Sequence, residues 1–282
     1  MLWLFTCAYC SHYWCDYLKS KILLIGIDGI NLHTALEVSP VLAKVKAEGF
    51  FTTMTIDPPT WSGPSWSTIL TGTTIDSHAV IDNSFTGHKL LHNSDLLSRA
   101  YYQDQSTTTF AAAGWPPLVD PAGLGPIIHE RREQAKALRH RVLVRDGETY
   151  GYTVVDAEIA TAALYAVKNH APDVSFIYFC GADEAGHACG ALGDEYKGAI
   201  ARIDTYVDNL LTAVQARASA DEPWLVVITT DHGHIDEGGH GGDSPQERAS
   251  FVMAQGFGRS NPAWATDLQA HDLTPLLLAE RA

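Results

Sequence analysis

The sequence predicts an α/β fold built on a parallel β-sheet, and two observations support this prediction. First, runs of aliphatic and aromatic residues begin at Lys21, Val174 and Trp224. Each run is apolar without alternation, as in strands that are buried on both faces of a parallel sheet. Second, the stretches between these runs carry apolar residues three and four positions apart, which is the pattern of amphipathic helices. This order of strands and helices is typical of α/β proteins.

The apolar periodicity predicts helices at five places along the chain. They cover residues 39–48, 65–70, 157–169, 196–217 and 272–280. No internal repeat or low-complexity segment interrupts this order. We therefore expect residues 21–282 to form a single catalytic domain, preceded by an N-terminal extension of uncertain role at residues 1–20.

Residues 82–150 break the α/β pattern. They contain a Gly-Trp-Pro-Pro segment at 114–117 and a basic, helix-prone stretch at 130–145, which predicts an inserted cap that contributes to specificity. The cap could supply contacts to a leaving group, but a solvated helix face is the simpler interpretation of its basic residues. The side chains concerned are Tyr101, Tyr102, Trp115, Arg131, Arg132, Lys136 and Arg139.

Composition narrows the class of protein. Of the 282 residues, 46% are hydrophobic and 18% are charged, so the chain can bury a full core and is not a disordered sequence. The 19 basic and 33 acidic residues give a formal net charge of −14, which argues against polymeric nucleic acid as a partner. No run approaches the roughly 18 apolar residues of a membrane-spanning helix, so we expect no transmembrane segment.

The N-terminal segment and the cysteines indicate in which cellular compartment the protein is expected. The apolar run from Met1 to Tyr17 lacks a basic start and a small-residue cleavage site, so it does not resemble a signal peptide. It contains Cys7, Cys10 and Cys15, but no fourth ligand follows at zinc-finger spacing. Five cysteines without a framework spacing favour a reducing compartment. We predict a cytoplasmic protein, with a secreted or periplasmic one as the alternative.

Each of the three apolar runs ends close to a carboxylate. Asp28 follows the first, Asp183 the second and Asp231 the third. In doubly wound α/β sheets, ligands bind beyond the carboxyl ends of the strands. We therefore expect these three side chains, which are distant in the sequence, to lie close together.

Histidines accompany two of these carboxylates. His232 and His240 belong to a glycine-rich loop, and His187 stands four residues after Asp183. A mixture of imidazole and carboxylate ligands suits zinc, manganese or iron. Two alternatives involve no metal ion. The glycine-rich loop could be a solvated acidic loop, and Asp183 and His187 could form a purely structural contact.

Ser62 is the predicted nucleophile. It stands at a turn just before a helical stretch, where free backbone N–H groups and the helix dipole favour an anionic oxygen. A serine at this position could also be a simple helix cap. Other hydroxyl groups lie nearby, so the segment by itself does not single out one of them. They belong to Thr60, Ser65, Ser67 and Thr68.

Five short segments, taken in order, resemble one superfamily. They are Gly26-Ile27-Asp28-Gly29, residues 60–72 around Ser62, Asp183-Glu184-Ala185-Gly186-His187, Thr230-Asp231-His232-Gly233 and Gly239-His240-Gly241. Together they are similar to the alkaline phosphatase superfamily, and specifically to its type I phosphodiesterase/nucleotide pyrophosphatase branch. The resemblance implies a three-layer α/β/α sandwich with a mostly parallel sheet. It also implies two divalent metal ions, usually Zn²⁺.

The resemblance further implies roles for individual residues. Asp183, His187 and His240 would hold one metal ion. Asp28, Asp231 and His232 would hold the other, which also contacts Ser62. Ser62 would form a covalent phosphoseryl intermediate that water then hydrolyses. Ser65 stands where we expect the family to place an amide side chain against the phosphate, so it is the oxyanion candidate. Trp61 and Trp66 flank the nucleophile and could stack on the substrate, with core packing as the alternative.

The expected substrate is a small-molecule phosphodiester or pyrophosphate. A phosphomonoesterase would usually add a guanidinium clamp, and only Arg248 lies near a predicted metal-binding segment. A sulfatase is less favoured because Trp66 occupies the position of a sulfatase arginine. A phosphotransferase or mutase of the superfamily and a non-catalytic metal-binding module remain alternatives. The sequence leaves the oligomeric state open.

Overall fold

The computed structural model describes residues 19–281, which form one α/β unit around an eight-stranded sheet. The strands are β1 Lys21–Ile27, β2 Phe50–Thr55, β3 Thr109–Ala113, β4 His140–Val144, β5 Val174–Phe179, β6 Trp224–Thr229, β7 Ala249–Phe257 and β8 Leu268–Gln269. Their order in the sheet is β4-β3-β5-β1-β6-β7-β2-β8. β7 runs antiparallel to both of its neighbours, and the other pairings are parallel.

Helices cover both faces of the sheet. They are α1 Leu32–Val38, α2 Pro40–Glu48, α3 Ser62–Thr71, α4 Ile75–His78, α5 Leu96–Gln103, α6 Pro116–Val119, α7 Arg132–Lys136, α8 Gly147–Tyr150, α9 Tyr152–Asn169, α10 Gly181–Cys189, α11 Asp194–Arg217 and α12 Leu273–Ala279, with short 3₁₀ helices at Leu90–His92 and Ala270–Asp272. One core packs α3, α5 and α12 on the sheet, and the other packs α2, α9 and α11 on the opposite face.

Strand β1 shows why an unbroken apolar run is needed. Ile22 and Leu24 belong to the core on one face, whereas Leu23 and Ile25 belong to the core on the other. All four side chains are fully buried. A central strand alternates between two buried layers, so both sets of positions must be apolar. The three-layer α/β/α sandwich is confirmed, and the three predicted strands agree with β1, β5 and β6 to within one residue.

The five predicted helices correspond to α2, α3, α9, α11 and α12. Three of them begin earlier than the periodicity indicates, since α3 begins at Ser62, α9 at Tyr152 and α11 at Asp194. The helix-prone stretch 130–145 differs more. It forms only the short α7 and then β4, so the helical interpretation is wrong for residues 140–144.

Residues 82–150 do not form a cap separate from the sheet. They contain β3 and β4, which extend the central sheet by parallel pairing with β5 and with each other. All five residues of Thr109–Ala113 are buried, because β3 lies between β5 and β4. The cap interpretation is therefore wrong for these two strands. The loops at Asn83 and Trp115, in contrast, reach the site described below.

Two expectations concern the chain's surroundings. Within the described part of the chain, no helix is long and apolar enough to cross a membrane. Cys180 is buried and Cys189 is exposed, and both are free thiols. Cys7, Cys10 and Cys15, like most of the predicted N-terminal extension, lie outside the described residues.

Candidate active site

The site lies at the carboxyl ends of β1, β5 and β6, three neighbouring strands in the centre of the sheet. Asp28 directly follows β1, Asp183 lies in the first turn of α10 after β5, and Asp231 lies just after β6. All three carboxylates are buried. The expected convergence is present, because parallel strands end at the same edge of the sheet.

Around Asp28, four side chains form one cluster. His232 Nε2 lies 3.3 Å from Asp28 Oδ1 and 3.3 Å from Asp231 Oδ2. Ser62 Oγ lies 3.2 Å from His232 Nε2 and 3.4 Å from Asp28 Oδ1. The four residues predicted to share one metal ion are thus brought together.

The second cluster surrounds Asp183. His187 Nε2 lies 3.5 Å from Asp183 Oδ2, and His240 Nε2 lies 3.6 Å from Asp183 Oδ1. The two imidazole Nε2 atoms face each other at 3.0 Å. Two histidine nitrogens that each bind Zn²⁺ at about 2.0–2.1 Å in tetrahedral geometry lie little more than 3 Å apart. The structure therefore brings together Asp183, His187 and His240 as predicted.

Backbone carbonyl groups orient two of the imidazoles. Nδ1 of His240 lies 2.7 Å from the Thr60 carbonyl oxygen, and Nδ1 of His232 lies 3.1 Å from the Gly233 carbonyl oxygen. A carbonyl oxygen only accepts, so each Nδ1 carries a proton, and Nε2 is the nitrogen through which each ring could bind an ion after losing any proton there. This is the arrangement usual for histidines that bind a metal ion.

His234 has the opposite arrangement and was not predicted to have a role. Its Nδ1 accepts the backbone N–H of Gly239 at 2.9 Å, so Nε2 carries the proton and donates to Asp183 Oδ1 at 2.8 Å. His234 therefore holds the Asp183 carboxylate in place through a hydrogen bond. A side chain at Gly186 would lie 3.0 Å from the His234 ring, which explains the glycine there. The sequence shows a second histidine two positions after His232, but it does not show that this histidine contacts Asp183.

The buried charges fit divalent cations. Burial and the nearby Asp28 carboxylate raise the pKa of Asp231 well above its usual value, and they raise the pKa of Asp183 to about 6. Asp231 Oδ2 is buried without a hydrogen-bond partner. Bound cations would remove the repulsion among the carboxylates and supply that oxygen with a partner. The donor set of carboxylates and imidazoles suits Zn²⁺.

Asp28 is held by residues behind the site. Its Oδ2 accepts hydrogen bonds from Trp66 Nε1 at 2.9 Å and from the Tyr178 hydroxyl at 2.6 Å, which leaves Oδ1 facing Ser62. Burial opposes ionisation, but these bonds and His232 lower the pKa of Asp28 to about 2. Trp66 is fully buried and packs on Phe176 and Tyr178. The substrate-stacking interpretation of Trp66 is therefore wrong, and core packing is its role.

Ser62 begins α3, and the residue beside it was not predicted. The Gly63 N–H donates to Asn83 Oδ1 at 2.7 Å, which fixes the Asn83 amide next to Ser62. Ser65 does not reach the cavity. Its backbone N–H donates to the Trp61 carbonyl group, and its Oγ is buried without a partner. Asn83 lies in a loop 21 positions after Ser62, and nothing in the sequence pattern distinguished it.

A cavity of about 190 Å³ opens onto the two clusters. The residues that line it are Ser62, Asn83, Trp115, Glu148, Tyr152, Tyr178, Cys180, Asp183, Glu184, His187 and His240. Trp61 is not among them, although it is 43% exposed and packs beside Gly241. A larger apolar groove of about 940 Å³ lies between α9 and the β3–β4 edge and contains none of the metal-binding residues.

Of the aromatic and basic side chains proposed for the cap, only Trp115 lines this cavity. Arg131 is buried and donates to Ser98 and Thr109, away from the metal-binding clusters. Arg132 and Lys136 form ion pairs with glutamates of their own segment. Nor does any other Lys or Arg between residues 19 and 281 line the cavity. Arg248 binds the Ile56 carbonyl group and lies near Asp57.

Comparison with known proteins identifies the family. The sequence profile of type I phosphodiesterases/nucleotide pyrophosphatases matches residues 22–243, which include Ser62 and both metal-binding clusters. The chain belongs to this family.

Individual relatives agree with this assignment. Human ectonucleotide pyrophosphatase/phosphodiesterase family member 1 is 25% identical over 232 residues, which cover 75% of this chain and 23% of that protein. GPI ethanolamine phosphate transferase 1 of Yarrowia lipolytica is 34% identical over 89 residues, which cover 32% of this chain and 10% of that protein. The chain thus spans less than a quarter of the length of either curated relative.

A solved structure supports the fold. Murine ectonucleotide pyrophosphatase/phosphodiesterase 5, an inactive variant in complex with AMP, superposes with a TM-score of 0.68 at 14% identity. The superposition covers 93% of this chain and 95% of that one. The α/β/α architecture is therefore shared across nearly the whole chain.

Proposed function

We propose that the protein is a metal-dependent hydrolase of phosphodiester or pyrophosphate bonds in small molecules, acting through a phosphoseryl intermediate on Ser62. One observation carries this proposal. Ser62 Oγ lies at the start of α3, within 3.4 Å of both Asp28 Oδ1 and His232 Nε2. A serine hydroxyl so close to an aspartate and an imidazole that face a metal site is arranged as an activated nucleophile. A cap role for Ser62 would not require these neighbours.

Two divalent ions, Zn²⁺ by the chemistry of the donors, would be held by these clusters. Asp183, His187 and His240 would hold one ion. The other would be held by Asp28, Asp231 and His232 together with Ser62. When bound, such ions lower the pKa of coordinated hydroxyl groups and stabilise the charge on phosphate oxygens.

The protein's own groups account for the remaining steps. Ser62 Oγ lies 3.4 Å from Asp28 Oδ1, a carboxylate oxygen that can accept the hydroxyl proton while His232 Nε2 would hold the ion. Ser62 Oγ can then attack phosphorus as the bond to the leaving oxygen breaks. The backbone N–H of Gly63 donates to Oδ1 of Asn83, so the amide N–H₂ of Asn83 is left to donate to a group in the cavity that this residue lines. We assign Asn83, in place of Ser65, as the donor to a non-bridging phosphate oxygen. Water then cleaves the phosphoseryl ester.

The cavity favours a diester or pyrophosphate over a monoester. A monoester dianion is usually bound by a guanidinium group, and among the residues that the structure describes no Arg reaches the cavity. The name of the human relative includes both nucleotide pyrophosphatase and phosphodiesterase activity, which is consistent with this choice. Trp61 remains a proposed contact at the rim. We retain the cytoplasm as the proposed location, with the secreted or periplasmic alternative.

The rate on three aryl esters tests the proposal. We expect the zinc-loaded protein to hydrolyse an aryl phosphodiester at least about tenfold faster than the aryl phosphomonoester or the aryl sulfate, which corresponds to about 1.4 kcal/mol. Ser62→Ala should abolish the activity. Ser67→Ala is the matched control, because it removes a buried hydroxyl of the same helix that does not line the cavity. A faster monoester or sulfate rate, or full activity of Ser62→Ala, would contradict the proposal.

A further inference from the structure

Helix α10 carries two of the proposed metal ligands. Asp183 and His187 stand four residues apart on this nine-residue helix, a spacing that places both side chains on one side. The first N–H groups of a helix have no partner within the helix, and the N-cap residue Cys180 makes no side-chain bond to them. The position of both ligands therefore depends on what holds the start of α10.

A carboxylate from the neighbouring helix α9 supplies the acceptors for this helix start. Asp156 accepts the backbone N–H of Cys180 at 3.2 Å through Oδ1 and that of Gly181 at 2.8 Å through Oδ2. The helix dipole also favours a negative charge at this end. A side chain on Gly181 would have its Cβ 2.8 Å from Asp156 Oδ2, so the glycine makes this close contact possible.

Asp156 is engaged with the backbone instead of with a cation. Its side chain is buried, and among residues 19–281 it forms no ion pair with a Lys, Arg or His. A buried carboxylate is costly unless hydrogen bonds replace the water that it has lost. The two backbone N–H groups at the start of α10 provide such bonds, which ties Asp156 to this helix.

We infer that Asp156 is a positioning residue for one of the two proposed metal ions, the one in the cluster around Asp183. It fixes the start of α10 and thereby the directions of Asp183 and His187. Asp156 itself does not line the cavity. This inference rests on the metal-binding clusters of the proposed function. Residues that orient metal ligands typically contribute about 10–100-fold to metal affinity.

The chain offers a matched control for this contact. Asp204 of α11 is also buried, and it accepts the backbone N–H groups of Val41 and Leu42 in the first turn of α2. Helix α2 carries none of the proposed ligands. Replacement of Asp204 therefore removes the same kind of bond from a helix that would hold no ion.

The Zn²⁺ affinity of the full chain, measured by competition titration, tests the inference. Burial raises the pKa of Asp156 to about 7, so the titration is made at about pH 8, where this carboxylate is ionised. Asp156→Ala should weaken the binding of one ion about 10–100-fold. Asp156→Asn, which keeps one oxygen acceptor, should weaken it less. Asp204→Ala should leave both affinities within about threefold of the wild-type values.

The His240→Gln variant identifies which ion is affected. The ion that it still binds would be the one in the cluster around Asp28. Adding Asp156→Ala to this variant should leave the affinity for that ion unchanged, because α10 supplies none of its proposed ligands. A general loss of stability would instead weaken the binding of both ions.

Unchanged affinity in both Asp156 variants, an equal loss at both ions, or the same loss in Asp204→Ala would overturn the inference and leave the proposed hydrolase function standing. If circular dichroism shows that Asp156→Ala does not fold, Asp156→Asn decides. A loss of more than about threefold at one ion then supports the inference, and a smaller one overturns it. Selective weakening of one ion in a protein that hydrolyses no phosphodiester would support the inference and contradict the proposed function. A wild-type protein that binds no Zn²⁺ would contradict both.

Discussion

At the residue scale, the hydrogen bond at Nδ1 distinguishes the proposed metal ligand His240 from His234, which contacts a proposed ligand. His240 donates from Nδ1 to the Thr60 carbonyl group, whereas His234 accepts a backbone N–H at Nδ1 and donates from Nε2 to Asp183. Asp183, His187 and His234 also lie close enough to form a metal-binding set by distance alone. The hydrogen bond that His234 accepts at Nδ1 leaves Nε2 as a donor to Asp183, so we expect His234 to support that carboxylate instead of binding an ion. Spacing in the sequence could not reveal this difference.

Replacement of these two histidines should therefore have different effects on metal content. His240→Gln should lose one of the two bound ions. His234→Gln should keep both, because glutamine can still donate to Asp183, with affinity weakened no more than about 10–100-fold. Metal content after dialysis and competition titration measure both quantities. Loss of an ion from His234→Gln, with both retained by His240→Gln, would reverse the assignment.

The donors behind Asp28 give a second prediction. Tyr178→Phe keeps the buried ring but removes one of two hydrogen bonds to Asp28 Oδ2, so unfolding free energy should fall by about 1–3 kcal/mol. The pKa of Asp28 should rise for the same reason. Denaturant titration measures the loss. Tyr206→Phe is the control, since it removes a tyrosine hydroxyl outside the site, and an equal loss there would contradict the assigned role.

At the scale of elements, the central strands could be predicted and the edge strands could not. β1, β5 and β6 are buried on both faces, so their sequences are unbroken apolar runs. β4 is mostly half-buried at the edge of the sheet and contains His140 and Arg141, so its sequence resembles a basic helix. The carboxylates at strand ends were predictable from topology. The contacts of Tyr178, Trp66 and Asn83 were not, because they depend on how side chains meet across elements.

The junction between α3 and α4 should be sensitive to acid. His78 is fully buried, with Nε2 lying 3.0 Å from Thr68 Oγ1, and burial lowers its pKa from 6.5 to about 4. The unfolded state therefore binds the proton first as pH falls. The contribution of neutral His78 is fully present above pH 6.5, and up to about 3 kcal/mol is lost as pH falls toward 4.

Unfolding free energies measured across this range test the prediction. His78→Gln should show a smaller loss of stability between these two pH values than the wild-type protein. His88→Gln is the control for a general effect of removing a histidine. An unchanged pH dependence in His78→Gln would contradict the assigned role of His78.

At the scale of the whole molecule, the fold and the metal site should depend on each other. Three buried carboxylates lie together beyond the ends of β1, β5 and β6, and they repel one another. Bound ions would relieve this repulsion. Chelation should therefore lower the thermal midpoint, since ions present at about 1,000 times their dissociation constant add about 4 kcal/mol.

Asp231→Asn provides the matched comparison for that experiment. In chelator it should be more stable than the wild-type protein, because the amide replaces a buried carboxyl group whose ionisation is disfavoured by burial and by Asp28. With Zn²⁺ present the order should reverse, because a ligand is lost. Thermal melts with and without chelator measure both effects. A midpoint that does not respond to chelation would contradict the metal site.

Trapping the covalent intermediate on Ser62 tests the proposed nucleophile directly. The zinc-loaded protein is mixed with a slowly hydrolysed para-nitrophenyl phosphodiester, quenched in acid within one turnover, and digested for mass spectrometry. We expect the peptide containing Ser62 to gain the mass of the phosphoryl ester group, and we expect no such gain in Ser62→Ala. Turnover with an unmodified Ser62 peptide, or modification of a different residue, would contradict it.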